Sequence, residues 1–263
     1  MNAKLKNPDL FIRVISSIVM IFLGAVFLGI GGTLFKTILI LISAVLAWEI
    51  LSFNNLHKQT RILTALLFAL IFATYILFSQ ILSLISLIIF LIFYKVIIKH
   101  NDYAQRSIYL ILIFFSLITL TDFRLEVGLV QTLWVICCVI ASDVGGYFVG
   151  RIVGGPKLWP IISPKKTWSG IIGGWMLTII ITYIFIIMFE EIEFYLLFFS
   201  IFISIFSQFG DLYESFLKRK AGRKDSSNLI PGHGGFLDRF DGMIGAFFAV
   251  FIINFININN WMF

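Results

Sequence analysis

The chain has 263 residues, 60% of them hydrophobic and only 13% charged, with a formal net charge of +6. Its mean hydropathy is +1.01. A soluble domain carries about a quarter charged residues, so these values exclude an ordinary water-soluble globule. The apolar residues fall in long runs, and a bilayer core needs about 20 such residues per helix.

Nine spans are predicted in chain order: 10–30, 33–51, 62–78, 81–98, 107–120, 127–150, 168–189, 194–213 and 240–261. The fifth is short for a bilayer. Barrel strands would alternate polar and apolar residues at period two. These runs do not, so the expected fold class is all-α, a polytopic membrane protein of about nine transmembrane helices. The first run is long for the apolar region of a signal peptide, and residues 29–32 make a poor cleavage site, so it reads as a span. No internal repeat is visible. The expected division is 1–121, N-terminal spans, and 122–263, C-terminal spans that carry the polar motifs and the cytoplasmic loops.

With the N-terminus inside, alternate loops are cytoplasmic, and eighteen of the 20 Lys and Arg residues fall in inside segments. Only Lys36 and Arg124 fall outside. This is the positive-inside pattern. The inside loops at 151–167 and 214–239 are the longest and the most basic, and chemistry is expected there.

Four acids mark that side: Asp211, Glu214, Asp238 and Asp241. A charge at the membrane boundary of a helix is costly unless it faces a cavity, a partner or an ion. Asp238 and Asp241 are three apart and share a helix face. Together with Asp211 they offer hard oxygen ligands suited to Mg²⁺. Taken singly, each also reads as a helix cap. Glu49, near the end of the second span, reads as structural.

Lys218, Arg219, Lys220, Arg223 and Lys224 form a basic run that ends at Asp225. Such a run is drawn to anionic headgroups. Here Pro231-Gly232-His233-Gly234-Gly235 follows it, and glycines can shape a backbone nest for an anion. The pair of features points to a clamp on phosphates. Farther upstream, Asp143 near the end of its span is not explained by packing, whereas Gly145 and Gly146 read as helix-packing positions. Ser163-Pro164-Lys165-Lys166-Thr167 reads as a polar turn that delivers two lysines to a helix N-terminus, a natural phosphate site. Cys137 and Cys138 read as small apolar fillers, and three scattered His residues suggest no zinc site.

The stretch from Ser215 to Asp241 resembles the signature of the phosphatidate cytidylyltransferase (CDP-diacylglycerol synthase) family throughout. It includes Lys218, Arg219, Lys224, Asp225, Pro231, His233, Gly234, Gly235, Asp238 and Arg239. Gly210-Asp211-Leu212-Tyr213-Glu214 and 163–167 are similar to that family too, while Ser169 stands where many members carry Glu. The resemblance spans about 142–242; the N-terminal spans match only in being apolar and numerous.

The resemblance implies condensation of CTP with phosphatidate to give CDP-diacylglycerol and pyrophosphate. It implies a metal at Asp211, Asp238 and Asp241, taken as Mg²⁺, with a second cation left open. Lys166 joins these acids as a catalytic residue. Substrate contacts are expected from Asp143, Ser163, Lys165, Thr167, Lys218, Arg219, Lys224, Asp225, His233 and Arg239. His233 either donates to a phosphate oxygen or supports the glycine turn. A cytidylyltransferase for another lipid phosphate, such as an isoprenoid ether lipid, would carry a similar signature. An anion transporter is disfavoured, because the acids cluster at one end and no inverted repeat is seen. No nucleic-acid partner is expected, and a homodimer stays open. The expected location is the cell inner (plasma) membrane, multi-pass, with the N-terminus cytoplasmic.

Overall fold

The computed structural model describes residues 8–54, 56–97, 103–190 and 192–256. Lys4, Lys6 and Lys99, and the expected span ends at Ile98 and Trp261, lie outside the described residues. Among the described residues the chain forms nine α-helices and one short hairpin. In order these are α1 (Pro8–Ile30), α2 (Gly32–Leu51), α3 (Lys58–Leu77), α4 (Gln80–Ile97), α5 (Tyr103–Asp122), α6 (Leu129–Ile152), β1 (Lys157–Trp159), β2 (Ser163–Thr167), α7 (Trp168–Met188), α8 (Leu196–Lys220) and α9 (Leu237–Ile256). Eight of them, α1 to α8, are long and apolar enough to cross a membrane. A helix satisfies its own backbone in lipid, which is why unbroken apolar runs become helices. The ninth, α9, opens with Asp238, Arg239 and Asp241 before its apolar run.

Three details depart from the expectations. The fifth span is a full helix of 20 residues that begins before Arg106. Arg106 is buried against protein, so it does not end the helix as it would at a lipid-facing position. At its far end α5 passes into a π-helical turn, Phe123–Val127, and stops at Gly128. Gly128 has φ 137°, a conformation that needs glycine, so α6 starts at Leu129. The third departure is the hairpin. Residues 163–167 form a strand that pairs antiparallel with β1, Lys157 opposite Thr167 and Trp159 opposite Ser163. These strands are too short and polar to show the alternation by which a strand is read from sequence.

Helices α2, α3, α4, α8 and α9 pack around α5, whose span is 61% buried, whereas that of α1 is 0% buried. Phe68, Phe72 and Phe114 meet edge to face in the core beside α5. The two ends of the bundle differ in character. At one end Arg223 donates to Ser52 Oγ at 3.1 Å, Lys220 to Gln105 Oε1 at 2.7 Å, and Arg219 Nε to the Ile162 carbonyl at 3.4 Å. The basic loops predicted to share a side are thus joined at one end. At the other end Arg124 donates to the Leu28 carbonyl at 2.7 Å, and Lys36 lies within electrostatic reach of Asp122.

Close helix crossings depend on glycine, as expected for Gly145 and Gly146. A Cβ on Gly145 would lie 2.6 Å from the Gly173 carbonyl oxygen, and one on Gly146 3.4 Å from that of Gly170. Backbones that approach this closely leave no room for a side chain. Gly145→Val is expected to force α6 and α7 apart and to cost about 1–3 kcal/mol by overpacking. Gly24→Val on α1, where nothing lies within 4 Å, should be neutral. A melting comparison of the two purified variants checks this; equal melting temperatures would contradict the crossing.

Candidate functional site

A cavity of about 740 Å³ opens between α6, the hairpin, α7 and α8. Its size lies within the range of small-molecule sites. Asp143, Lys165, Lys166, Thr167 and Asp211, all expected from sequence, line it. So do Arg151 and Lys157. Four cations and two acids therefore converge on one space beside an apolar bundle. Glycines at 146, 150, 154 and 170 keep part of its wall as bare backbone.

The hairpin carries Lys165 and Lys166 to this wall. Thr167 ends it and caps α7: its Oγ1 accepts from the Gly170 N–H at 3.1 Å. Ser169 donates to the Gly154 carbonyl and lies 3.0 Å from Thr167 Oγ1. The positive end of α7 therefore faces the cavity through Gly170 and Ile171. Ser163 sits at the turn end of β2, opposite Trp159. The inner wall is a neutral network missed from sequence. Gln208 Nε2 donates to Ser142 Oγ at 3.1 Å, its Oε1 accepts from Trp175 Nε1 at 3.2 Å, and Ser204 donates to Ser142 at 2.8 Å. Uncharged polar residues inside apolar runs give no sequence signal.

Charges continue from the cavity into the protein. Lys166 Nζ lies 2.5 Å from Asp211 Oδ2. Asp143 is within electrostatic reach of Asp211, Lys166 and Arg239. Asp211, Glu214 and Lys218 recur at spacings of three and four on α8 and so share a face. Lys218 is buried between two acids, 2.5 Å from Glu214 Oε2 and 2.6 Å from Asp238 Oδ1. The other oxygen of Asp238 accepts from Ser226 N at 2.9 Å, Ser226 Oγ at 3.1 Å and Gly235 N at 2.7 Å. Asp238 thus fastens the glycine loop to α8 through Lys218.

A second acid fastens the same loop from another helix. Glu49, buried on α2, accepts from Ser227 Oγ, from Phe236 N at 2.9 Å and from Leu237 N at 2.5 Å. It caps α9, in keeping with its structural reading. His233 engages α1: Nδ1 lies 2.8 Å from Ser16 Oγ and Nε2 3.2 Å from Ser17 Oγ. Its carbonyl accepts from Arg239 at 2.8 Å. Lys224 and Asp225 are exposed on the loop. Arg219 holds the hairpin turn, as described above. These residues share the basic end of the bundle but lie outside the cavity wall.

Whether the acids fit a metal turns on their donors. Among the described residues no three His, Cys, Asp or Glu side chains already enclose an ion position, and Asp238 is engaged by Lys218 and the loop. Asp211, Glu214 and Asp241 nevertheless lie within electrostatic reach of one another. Glu214 Oε1 is buried and receives no hydrogen bond. Asp241 accepts from the Gly242 N–H at 2.7 Å. The set is all carboxylate oxygen with excess negative charge, which suits Mg²⁺.

Removing one member of a buried ion cluster leaves uncompensated charge and costs about 3–5 kcal/mol. Lys218→Met should therefore lower the melting temperature sharply, and Lys165→Met, at the exposed cavity wall, should leave it nearly unchanged. Equal thermal denaturation of the two variants would show that the Lys218 bridge contributes little to the fold.

The cytidylyltransferase family model matches residues 11–257. Among curated relatives, a phosphatidate cytidylyltransferase of Bacillus subtilis (strain 168) is 44% identical over 121 residues, 45% of each chain. One of Staphylococcus haemolyticus (strain JCSC1435) is 44% identical over 133 residues, 50% of this chain and 49% of the relative. That of Staphylococcus aureus (strain COL) is 40% identical over 133 residues, again 50% and 49%. The chain spans about half the length of these relatives in the aligned stretches.

Proposed function

We propose, because the chain belongs to the cytidylyltransferase family, that it transfers CMP from CTP to phosphatidate, releasing pyrophosphate and leaving CDP-diacylglycerol in the membrane. The relatives named for that activity support this choice of substrates. The observation that carries the reading is the cavity, where Arg151, Lys157, Lys165 and Lys166 meet Asp143 and Asp211. A triphosphate from water and a phosphate on a lipid can both reach such a place at the end of an apolar bundle.

In the reaction, a phosphate oxygen of phosphatidate attacks the α-phosphorus of CTP. The new P–O bond forms as the bond to the bridging oxygen of the β-phosphate breaks, and that electron pair leaves with pyrophosphate. Both reactants are anions, so catalysis consists mainly of positioning and charge neutralisation. Lys165 and Lys166 bind phosphate oxygens, helped by the N-terminus of α7. Thr167 and Ser163 hold the strand that carries these lysines, and Arg219 braces its turn. Asp143 accepts a hydrogen bond from the nucleotide. Lys224 and Arg239, exposed at the same end, draw phosphates in. Lys218, His233 and Asp225 shape the glycine loop at the same end of the bundle. Asp211 and Asp241, with the unpartnered Oε1 of Glu214, would hold Mg²⁺, which supplies charge neutralisation at the reacting phosphates when bound. Asp238, held by Lys218 and the loop, would orient the start of α9 beside them.

We place this end of the bundle in the cytoplasm of a bacterial plasma membrane, from the bias of its basic residues. A Cys at the exposed Asn228, with Cys137 and Cys138 replaced by Ala, should resist an impermeant thiol reagent in intact cells and react after lysis. Ready labelling in intact cells would reverse the orientation.

Incubating the purified protein with labelled CTP, phosphatidate and Mg²⁺ should yield a labelled liponucleotide. If a folded preparation labels no lipid phosphate, the enzyme reading fails; product only from another lipid phosphate would replace the acceptor. Asp211→Asn, Asp238→Asn and Asp241→Asn should each reduce turnover by orders of magnitude. Normal turnover in all three would sink the metal assignment and leave Asp211 and Asp238 only as the counter-ions of Lys166 and Lys218.

A further inference from the structure

Every lysine–carboxylate pair in the charge cluster joins a residue expected on phosphate to an acid expected on metal or beside it. Lys166 meets Asp211, and Lys218 meets Asp238 and Glu214. The two arrangements differ in how far their side chains reach the surface and in how many partners hold them. Side chains of the Lys166–Asp211 pair are 24% and 28% exposed, and both residues line the cavity. Those of Lys218, Glu214 and Asp238 are 9%, 0% and 7% exposed. Lys218 also has two acids, one of them bound to the loop by three further donors, so it has no route out that keeps its charge paired. Lys166 has one ion-pair partner among the described residues and its side chain lines the cavity, although its Nζ is itself buried against Asp211.

We propose that Lys166 is an exchangeable counter-ion: it alternates between Asp211 and a nucleotide phosphate, so that the divalent cation and CTP bind as one coupled event. The inference rests on the reading that Asp211 is a metal ligand. Charge balance drives the exchange. A cation that takes Asp211 releases the Lys166 ammonium into the cavity, where Asp143 is within electrostatic reach but, among the described residues, no second carboxylate forms an ion pair with it. A triphosphate that takes Lys166 exposes the Asp211 carboxylate beside Asp241 and Glu214, where like charges already crowd. Either ligand alone therefore leaves a charge unpaired, and the two together leave none. Coupling of this kind is reciprocal: each ligand must strengthen the other by the same factor. It also ties occupation of the metal position to the presence of the nucleotide. Lys218, locked in place, is a positioning residue for Asp238 and takes no part in the exchange.

The test measures binding of Mn²⁺, as a paramagnetic probe, to the purified full chain by electron paramagnetic resonance, with and without CTP and with no lipid acceptor. In the wild-type protein CTP should tighten Mn²⁺ binding by about fivefold or more, in the usual range of such couplings. Lys166→Met should bind Mn²⁺ more tightly than wild type without CTP, by a similar factor, and should gain little further from CTP. Lys36→Met, at the opposite end of the bundle near Asp122, should keep the full CTP effect on Mn²⁺. Melting temperatures confirm that the variants are folded; should Lys166→Met fail to fold, the wild-type titration alone decides, and CTP-independent Mn²⁺ affinity would overturn the exchange. Equal Mn²⁺ affinity of wild type and Lys166→Met would overturn it also, with the metal assignment intact. Absence of Mn²⁺ binding in every form, with CTP or without it, would remove both.

Discussion

A charge at the depth of a membrane helix must find an opposite charge, and the site is organised by that requirement. Lys218 is the clearest case. It sits two helical turns from Asp211 on α8, buried, with Glu214 on one side and Asp238 on the other. Because Asp238 also binds Ser226 and Gly235, one ammonium group ties α8, the glycine loop and α9 into a unit. The loop offers the core little beyond Ala221 and Phe236, so ionic and hydrogen bonds do most of the fastening there. Such bonds are directional, and they fix the loop in register with the helices in a way that apolar packing would not.

The helices themselves were legible because lipid permits so few alternatives. An apolar run of about 20 residues must satisfy its backbone internally, so predicted and observed spans differ mainly at their ends. Those ends shift where protein, not lipid, surrounds a polar residue, as at Arg106, or where a glycine conformation stops a helix, as at Gly128. The hairpin was hidden because its eight strand residues carry no apolar alternation. Its sequence shows the two lysines and not the strand that orients them.

Within the site, legibility followed sequence distance. The cavity residues Asp143, Lys165, Lys166, Thr167 and Asp211 could be singled out because charged or capping residues stand out against apolar runs. Their partners could not. Nothing local pairs Lys166 with Asp211, or Lys218 with Asp238, or His233 with Ser16 and Ser17. Glu214 stood among the acids of interest, yet its burial against Lys218 and Asp241 depends on how α8 meets α9. Gln208 and Ser142, which form the neutral inner wall, look like any other polar residue in a membrane helix.

The cap that Glu49 places on α9 has a consequence for biogenesis. Its acceptors and the Leu237 N–H lie 188 residues apart in the chain. At a synthesis rate of about 5–20 residues per second, α2 enters the membrane roughly 10–40 s before its partner is made. During that interval a carboxylate that will end fully buried must be held by water at the bilayer surface or by the insertion machinery. The early half of the chain is therefore assembled with this buried acid still unpaired until the segment 227–237 is made. A protein truncated before Phe236 would leave that acid without the Phe236 and Leu237 N–H groups that satisfy it in the complete bundle.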